Sequence, residues 1–584
     1  TATAMTTGFW DRVADVTDEH VCHVQCVAGE QNIVAKFVLN GTQRRLDRNQ
    51  NETLAGTLAR LRKTLAGAGK AKKSQLQPDQ TVQTVEVHLS AADGSRISEE
   101  TTNEEAWITG HKLQVNEMEF VCERNRPVID LIHIKQNVIQ GFAVQPLVNK
   151  SFADSVYFRW SVEQGDTWQV VSEQESFVPT SDCVGKRLKV EAVPVSTTET
   201  GELDIGRRVA LELAEGVQAA PDLSVFKDRW RHVANTNKDG ERDNFLRVMS
   251  YNLLADGTPA QRAGEYDYCE SGAMEISYRK QLLTWELIQY DADVICLQEV
   301  TPHAYKTYME PVMRQAGWTG VFCNKNFNAQ MACAVFFKTS KYDLYMEENV
   351  DLHSEWQALK DARSHSISSL ISDTLRLELD RANTVAQIVA LTPKNDQESP
   401  FFVVNTHLMG SPTARLGRVI QVAAVMRRLR IAMTDCGLFD APTVFSGDFN
   451  ASPDEPVHQL LSTGRFSRKH KVWAETQSLF AEAENRNSNK KQTQEGVDVN
   501  TEIVFHRGAS TAQRTYIDRR LDKGGAVVDF IYFSRNHFKL QNEHFPDFAP
   551  SDLFADTSIP SRRFGSDHVA IVQDLVWSNR SEAA

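Results

Sequence analysis

The chain has 584 residues, of which 41% are hydrophobic and 24% charged, and its net charge is −13. This length exceeds a single hydrophobic core and leads to an expectation of roughly two to four domains, while the composition excludes wholesale disorder and a fibrous protein. No stretch approaches about 18 consecutive apolar residues, so no membrane partner is expected, and the acidic balance argues against non-specific coating of nucleic acid.

From the N-terminus, Val21 to Val24 and Ile33 to Leu39 read as strands. Cys22-His23-x-x-Cys26 is the closest Cys/His grouping, but it lacks a second pair at zinc-site spacing and reads as a half-buried strand. Leu54, Leu58, Leu61 and Leu65 fall at helical spacing. Lys70, Lys72 and Lys73 follow in a Gly-containing basic loop, read as a solvated linker or a phosphate-backbone contact. Strand texture returns from about 81 to 215, with Asn116-Glu117 as a hairpin turn and Val156–Trp160 and Leu188–Ala192 as strands. The nine scattered cysteines, several inside apolar runs such as those at Cys296 and Cys333, suggest free thiols in a reducing compartment. The first ten residues carry neither a signal peptide's apolar core nor an Arg-rich transit pattern.

We therefore expect a β-rich N-terminal accessory region over 1–240, built of one or two modules with a linker from about 214. A catalytic-sized domain of α/β or α+β patterning is expected over 245–580. In the second half, apolar strands alternate with helical stretches such as Tyr278 to Tyr290 and Thr413 to Arg430, and residues 481–502 form a polar insert.

Five apolar runs carry polar groups at or near their ends. They deliver Asn252, Glu299, His407, the pair Asp448 and Asn450, and Asp529, and Asp567-His568 follow near the C-terminus. In extended chain Asp448 and Asn450 point the same way while Phe449 turns into the core. Asp529 shares a strand face with Ile531 and Phe533, and a buried carboxylate needs a donor or cationic partner, for which His568 is the natural candidate. There is no Walker-type phosphate loop and no Gly-x-Ser-x-Gly elbow. Ser566, Asp567 and His568 are adjacent, so their side chains diverge and a serine triad is not expected. Carboxylates and amides with few imidazoles favour a hard cation such as Mg2+, which points to metal-assisted hydrolysis of a phosphate ester.

Ser-Tyr-Asn-Leu-Leu-Ala, Ile-Cys-Leu-Gln-Glu-Val, Asn-Thr-His-Leu, Gly-Asp-Phe-Asn and Ser-Asp-His, in this order over about Arg247 to Trp577, resemble the endonuclease/exonuclease/phosphatase superfamily. The likeness is to its Ccr4-type deadenylase branch, and there to the mitochondrial 2′-phosphodiesterase type, which also accounts for Ala106-Trp107, Glu123-Arg124-Asn125 and Phe158-Arg159-Trp160 in the first half. The resemblance implies an α+β fold, a four-layer, deoxyribonuclease I-like two-sheet β-sandwich flanked by helices. It also implies removal of 5′-AMP from 2′,5′-oligoadenylate or poly(A) RNA, Mg2+ as cofactor with Mn2+ as a substitute, and the mitochondrial matrix, with the cytoplasm as alternative. By the same resemblance Glu299, Asn252 and Asp567 form the metal side, and Asp448 orients or deprotonates the attacking water. Asn450 and His407 face the phosphate, and His568 contacts it while oriented by Asp529. Arg418 and Gln421 match the family helix after Asn-Thr-His-Leu and are substrate-contact candidates; read from the residues themselves, Arg562, Arg563 and Phe564 either add phosphate contact and a stacking ring or form a plain solvated loop.

The sequence departs from the family pattern at Met331, where a glutamate usually partners the histidine of Asn-Thr-His, and at Met409-Gly410-Ser411-Pro412 beyond His407. Two alternatives stay open: a catalytically weakened RNA-binding or assembly subunit, and a superfamily phosphoesterase with another substrate.

Overall fold

Period-two patterning in the N-terminal half resolves into sheet. Along Asn32–Leu39 buried and partly exposed residues alternate, so Ile33, Ala35, Phe37 and Leu39 share one covered face. The computed structural model describes residues 9–10, 20–68, 85–198, 200–237, 242, 245–256, 266–323, 332–361, 371–473, 496–501, 503–508, 514–518, 524–541 and 545–578. The chain divides into two compact units, one of Thr1–Lys135, Pro146–Phe177 and Gly185–Val217, the other of Gln136–Gln145, Val178–Val184 and Gln218–Ala584. Two short stretches of the expected 1–240 region, Gln136–Gln145 and Val178–Val184, and the chain from Gln218 onward thus group with the second unit. Backbone hydrogen bonds from Gln218 to Val138, Gln140 to Gln218 and Gly141 to Pro179 tie two short stretches of the first half to the second unit.

In the first unit a six-stranded sheet runs in the order Thr42–Asn49, Asn32–Leu39, Val21–Cys26, Met118–Arg124, Lys112–Val115 and Val87–Ser90. Helix Leu54–Ala68 closes its core with Leu54, Leu58 and Leu61. Asn116 takes a positive φ of 53° and so makes the tight turn of the Lys112–Arg124 hairpin. Cys22 and Cys26 are core residues here, Cys22 beside Cys122 on the neighbouring strand. Ser155–Gln164 and Arg187–Thr197 anchor a second, five-stranded sheet. The Lys70 to Lys73 tract, Met331 and most of the 481–502 insert lie outside the described residues.

The second unit is a sandwich of two six-stranded sheets. The first holds Phe245–Asn252 parallel to Val294–Val300, with Ile571–Trp577 antiparallel on the other side. The second holds Phe401–His407 parallel to Thr443–Asp448, with Asp529–Ser534 antiparallel beyond. Between the sheets Leu246, Val248, Val294, Cys296 and Val335 pack against Val389, Val403, Val444, Ile531 and Phe533. Helix Ile276–Gln289 covers the outer face of the first sheet and helices Arg415–Asp435 and Pro456–Thr463 that of the second, which makes four layers. In such a stack the parallel strands end at one rim, and their terminal residues meet there.

Candidate active site

That rim gathers Asn252, Glu299, His407 and Asp448 from four strand C-termini, and Asp529 from the start of an antiparallel strand. Register fixes the row: His407 lies beside Asp448, and Asp448 lies directly opposite Asp529. Below it, Gln298 donates to Asn405 across the sandwich at 2.8 Å, and Asn405 donates to the carbonyls of Leu297 and Ala334. These two amides staple the sheets together immediately under the site. In the sequence both amides are masked by more conspicuous neighbours, Glu299 and His407.

Local backbone departs from ideal strand where the side chains must turn. A bulge between Leu297 and Val300 carries Glu299 in left-handed backbone at φ 56°. Asn450 is likewise left-handed at φ 49°, so it does not continue the strand beside Asp448 as expected from extended chain. The strand stops at Asp448, whose Oδ1 accepts the Asn450 backbone N–H at 2.8 Å, a turn that brings both side chains to the rim. Phe449 goes into the core as expected. Asp529 is the first residue of its strand. Such outliers are costly singly, and their clustering here marks the site.

The polar groups form one connected set. Asn252 Nδ2 donates to Glu299 Oε1 at 3.2 Å and to Asp448 Oδ2 at 3.0 Å, so this amide brackets the two carboxylates. Its Oδ1 accepts the Leu254 N–H, and Glu299 Oε2 accepts the Ala255 N–H at 2.8 Å. Asp448 Oδ2 also faces His407 Nε2 at 3.6 Å and His568 Nε2 at 3.9 Å. His568 Nδ1 and Asp529 Oδ2 are hydrogen-bonded at 2.8 Å, while Asp529 Oδ1 is buried with no hydrogen-bond partner among the described residues. Asp567 Oδ2 accepts from the Tyr266 hydroxyl at 2.7 Å.

Burial raises the Asp448 carboxyl above its ordinary value, with Asp529 adding to the rise against His407, His568 and Asn252. Burial likewise lifts Asp567, with Glu299 adding to it. For Glu299 burial pushes up, but His407, the Ala255 N–H and the Asn252 amide together prevail and hold it below the usual value. Burial would lower His568, yet Asp529 outweighs it and the imidazole is pushed up to about 10. Ligand-capable atoms of Asp448, Asp529 and His568 lie within 4.8 Å of one another. The donor set, four carboxylates with amides and imidazoles and one orphaned buried carboxylate oxygen, fits a divalent cation.

The expected substrate residues are not part of this set. Arg418 is fully buried and donates to Glu455 at 2.7 and 3.1 Å and to the carbonyls of Met409 and Ser411. Gln421 bonds Thr384 and the Met409 N–H. Both thus shape the loop after His407 from inside the protein. Arg562 donates to the Ser271 carbonyl and lies over Tyr278, and Arg563 pairs with Asp556. Phe564 is buried against Phe226 and Phe548, which removes it as a stacking ring: its apolar face is used by the core.

Residues 249–568 match the model of the Endonuclease/Exonuclease/phosphatase family, and the chain belongs to that family. Along its length it is similar to 2′,5′-phosphodiesterase 12 of Rattus norvegicus, 26% identical over 607 residues covering 95% of this chain and 94% of the relative. It is also similar to the carbon catabolite repressor protein 4 homolog 1 of Arabidopsis thaliana, 24% identical over 448 residues covering 70% and 71% of the two chains. Among solved structures, ANGEL2, a 2′,3′-cyclic phosphatase, aligns at a TM-score of 0.44 and 20% identity over 57% of this chain and 96% of that one.

Proposed function

We propose that the chain is a divalent-metal-dependent phosphodiesterase that removes 5′-AMP from the free end of 2′,5′-oligoadenylate and of poly(A) RNA, with Mg2+ as its cation and Mn2+ as a substitute. The observation that carries the reading is the hydrogen-bonded set joining Glu299, Asn252, Asp448, Asp529 and His568 at one rim. Family membership over 249–568 supports phosphoester hydrolysis, and the similarity to a 2′,5′-phosphodiesterase over both halves supports the adenylate substrate.

In this reading Glu299 and Asp567 hold the cation, with Asn252 fixing Glu299 against Asp448. The cation supplies Lewis-acid polarisation of the phosphoryl group. Asp448 orients a water for in-line attack and takes its proton, a task suited to a carboxylate whose basicity burial has raised. Asn450 keeps one amide N–H on the Leu408 carbonyl and offers the other to a phosphate oxygen. His407 and His568 present Nε2 to the same charge, and Asp529 fixes the His568 ring through Nδ1. The family-matched unit carries the chemistry and the N-terminal unit is accessory. The nine free cysteines suit a reducing compartment, and the resemblance to the mitochondrial 2′-phosphodiesterase type alone supports the mitochondrial matrix, with the cytoplasm as alternative; no helix among the described residues is long and apolar enough to cross a membrane.

The test is AMP release from 2′,5′-linked triadenylate and from A-tailed RNA, with Mg2+ or EDTA, beside Glu299→Ala. Release that needs both metal and Glu299 is the expected result. Bound but intact RNA would favour a non-catalytic RNA-binding subunit, and cleavage of an abasic duplex alone would favour another phosphoester.

A further inference from the structure

The loop that carries Asp567 is clamped from one side by a single stretch of chain. Tyr268 donates to the Ile559 carbonyl at 2.5 Å, the Cys269 thiol to the Pro560 carbonyl at 3.1 Å, and Tyr278 to the Arg562 carbonyl at 2.5 Å. Arg279 Nε donates to the Gly565 carbonyl at 2.7 Å, and Arg562 returns a bond to the Ser271 carbonyl at 2.6 Å. All of these end on backbone carbonyls and hold the course of the loop. The Tyr266 hydroxyl differs, because it ends on the Asp567 carboxylate itself, at 2.7 Å from Oδ2.

Asp567 is buried, and among the described residues the other hydrogen bond to its carboxylate is a long 3.4 Å contact from Ser566 Oγ to Oδ1. The Tyr266 bond is therefore what sets the rotation of the carboxylate and decides which oxygen is left to face the site. A ligating carboxylate that is itself hydrogen-bonded binds metal more tightly, because its orientation is fixed before the ion arrives. We propose that Tyr266 is a positioning residue for cation binding, acting through Asp567. The proposal rests on the reading of Asp567 as part of the metal side. Nothing in the sequence singled Tyr266 out, since it lies in a polar stretch between two recognisable motifs and 301 residues from its partner.

The experiment is Mn2+ binding to the full chain by calorimetry, together with the Mn2+ dependence of AMP release, for wild type, Tyr266→Phe, Tyr268→Phe and Asp567→Asn. Tyr266→Phe keeps the ring beside Tyr268 and removes only the hydroxyl. It is expected to weaken Mn2+ binding by about tenfold, to raise the Mn2+ concentration needed for half-maximal rate by a similar factor, and to leave kcat at saturating Mn2+ nearly unchanged. Tyr268→Phe loses the bond to the Ile559 carbonyl and is expected to lower the unfolding temperature without moving Mn2+ affinity. Equal loss of Mn2+ affinity in both tyrosine variants would overturn the proposal in favour of general loop support. Unchanged affinity in Tyr266→Phe with weakened affinity in Asp567→Asn would overturn it while leaving the metal side intact. Unchanged affinity in Asp567→Asn would overturn both.

Discussion

Asp529 and His568 show how much one buried contact can decide. Asp529 Oδ2 meets His568 Nδ1 at 2.8 Å, which fixes the ring orientation that leaves Nε2 toward Asp448. Asp529→Asn keeps the size of the side chain and loses the charge that orients and supports the imidazole. We expect kcat for AMP release to fall by about 10²-fold or more at saturating Mg2+, with KM changed far less; a fall below threefold would remove Asp529 from the mechanism. Arg418 makes the opposite case. Its guanidinium is committed to Glu455 and two carbonyls, so Arg418→Ala leaves a mostly covered carboxylate without its cation. The expected cost is about 3–5 kcal/mol of stability, read from urea unfolding; a raised KM at unchanged stability would restore it as a substrate contact. Strand-end carboxylates, amides and histidines were legible in the sequence because polar groups ending apolar runs are conspicuous. Arg418 and Phe564 were not, because a motif position does not reveal whether a side chain faces substrate or core.

Strand and helix existence was equally legible: the run Phe401–His407 is bounded as expected, and helix Ile276–Gln289 lies within two residues of its expected start. The bulge at Glu299 and the turn at Asn450 were not, since neither uses glycine at the left-handed position. Nor was the cluster beneath helix Ile276–Gln289. There Glu286 accepts from Tyr251 at 3.1 Å and Tyr290 at 3.2 Å, and Arg229 donates to the Tyr290 hydroxyl. Burial drives the Glu286 carboxyl from an ordinary 4.5 up to about 7, with Arg229 and the two hydroxyls opposing it. Between these values the folded chain holds a proton that the unfolded chain has released. The contribution is therefore full below about pH 4.5 and is lost as pH rises through 7. Its limit is roughly 3 kcal/mol. Glu286→Gln should flatten the fall of the urea midpoint between pH 5 and pH 8; an identical slope in both proteins would show that Glu286 titrates normally.

At the scale of the whole second unit, two sheets that each close a sound core bring Glu299, Asp448, Asp529 and Asp567 to one rim against two imidazoles. Asp448 and Asp529 stand directly opposite in antiparallel register, an arrangement that opposes folding when both are charged. Binding should therefore stabilise the fold by mass action, by about 2.7 kcal/mol at a free cation concentration 100 times Kd. The carboxylates are not equivalent as test positions. Asp448 and Glu299 accept from amide N–H groups, which would clash with a replacing amide, whereas the partners of Asp567 are hydroxyls that can reverse their sense. In EDTA, Asp567→Asn should therefore unfold about 1–3 °C above wild type, because burial already disfavours the charged form. With Mg2+ the order should reverse, since wild type gains the binding free energy and the variant gains less. Calorimetric scans in the two buffers decide it. A variant less stable than wild type in both would mean that the Asp567 carboxylate supports the fold outright, and that the rim is not held in tension for a cation.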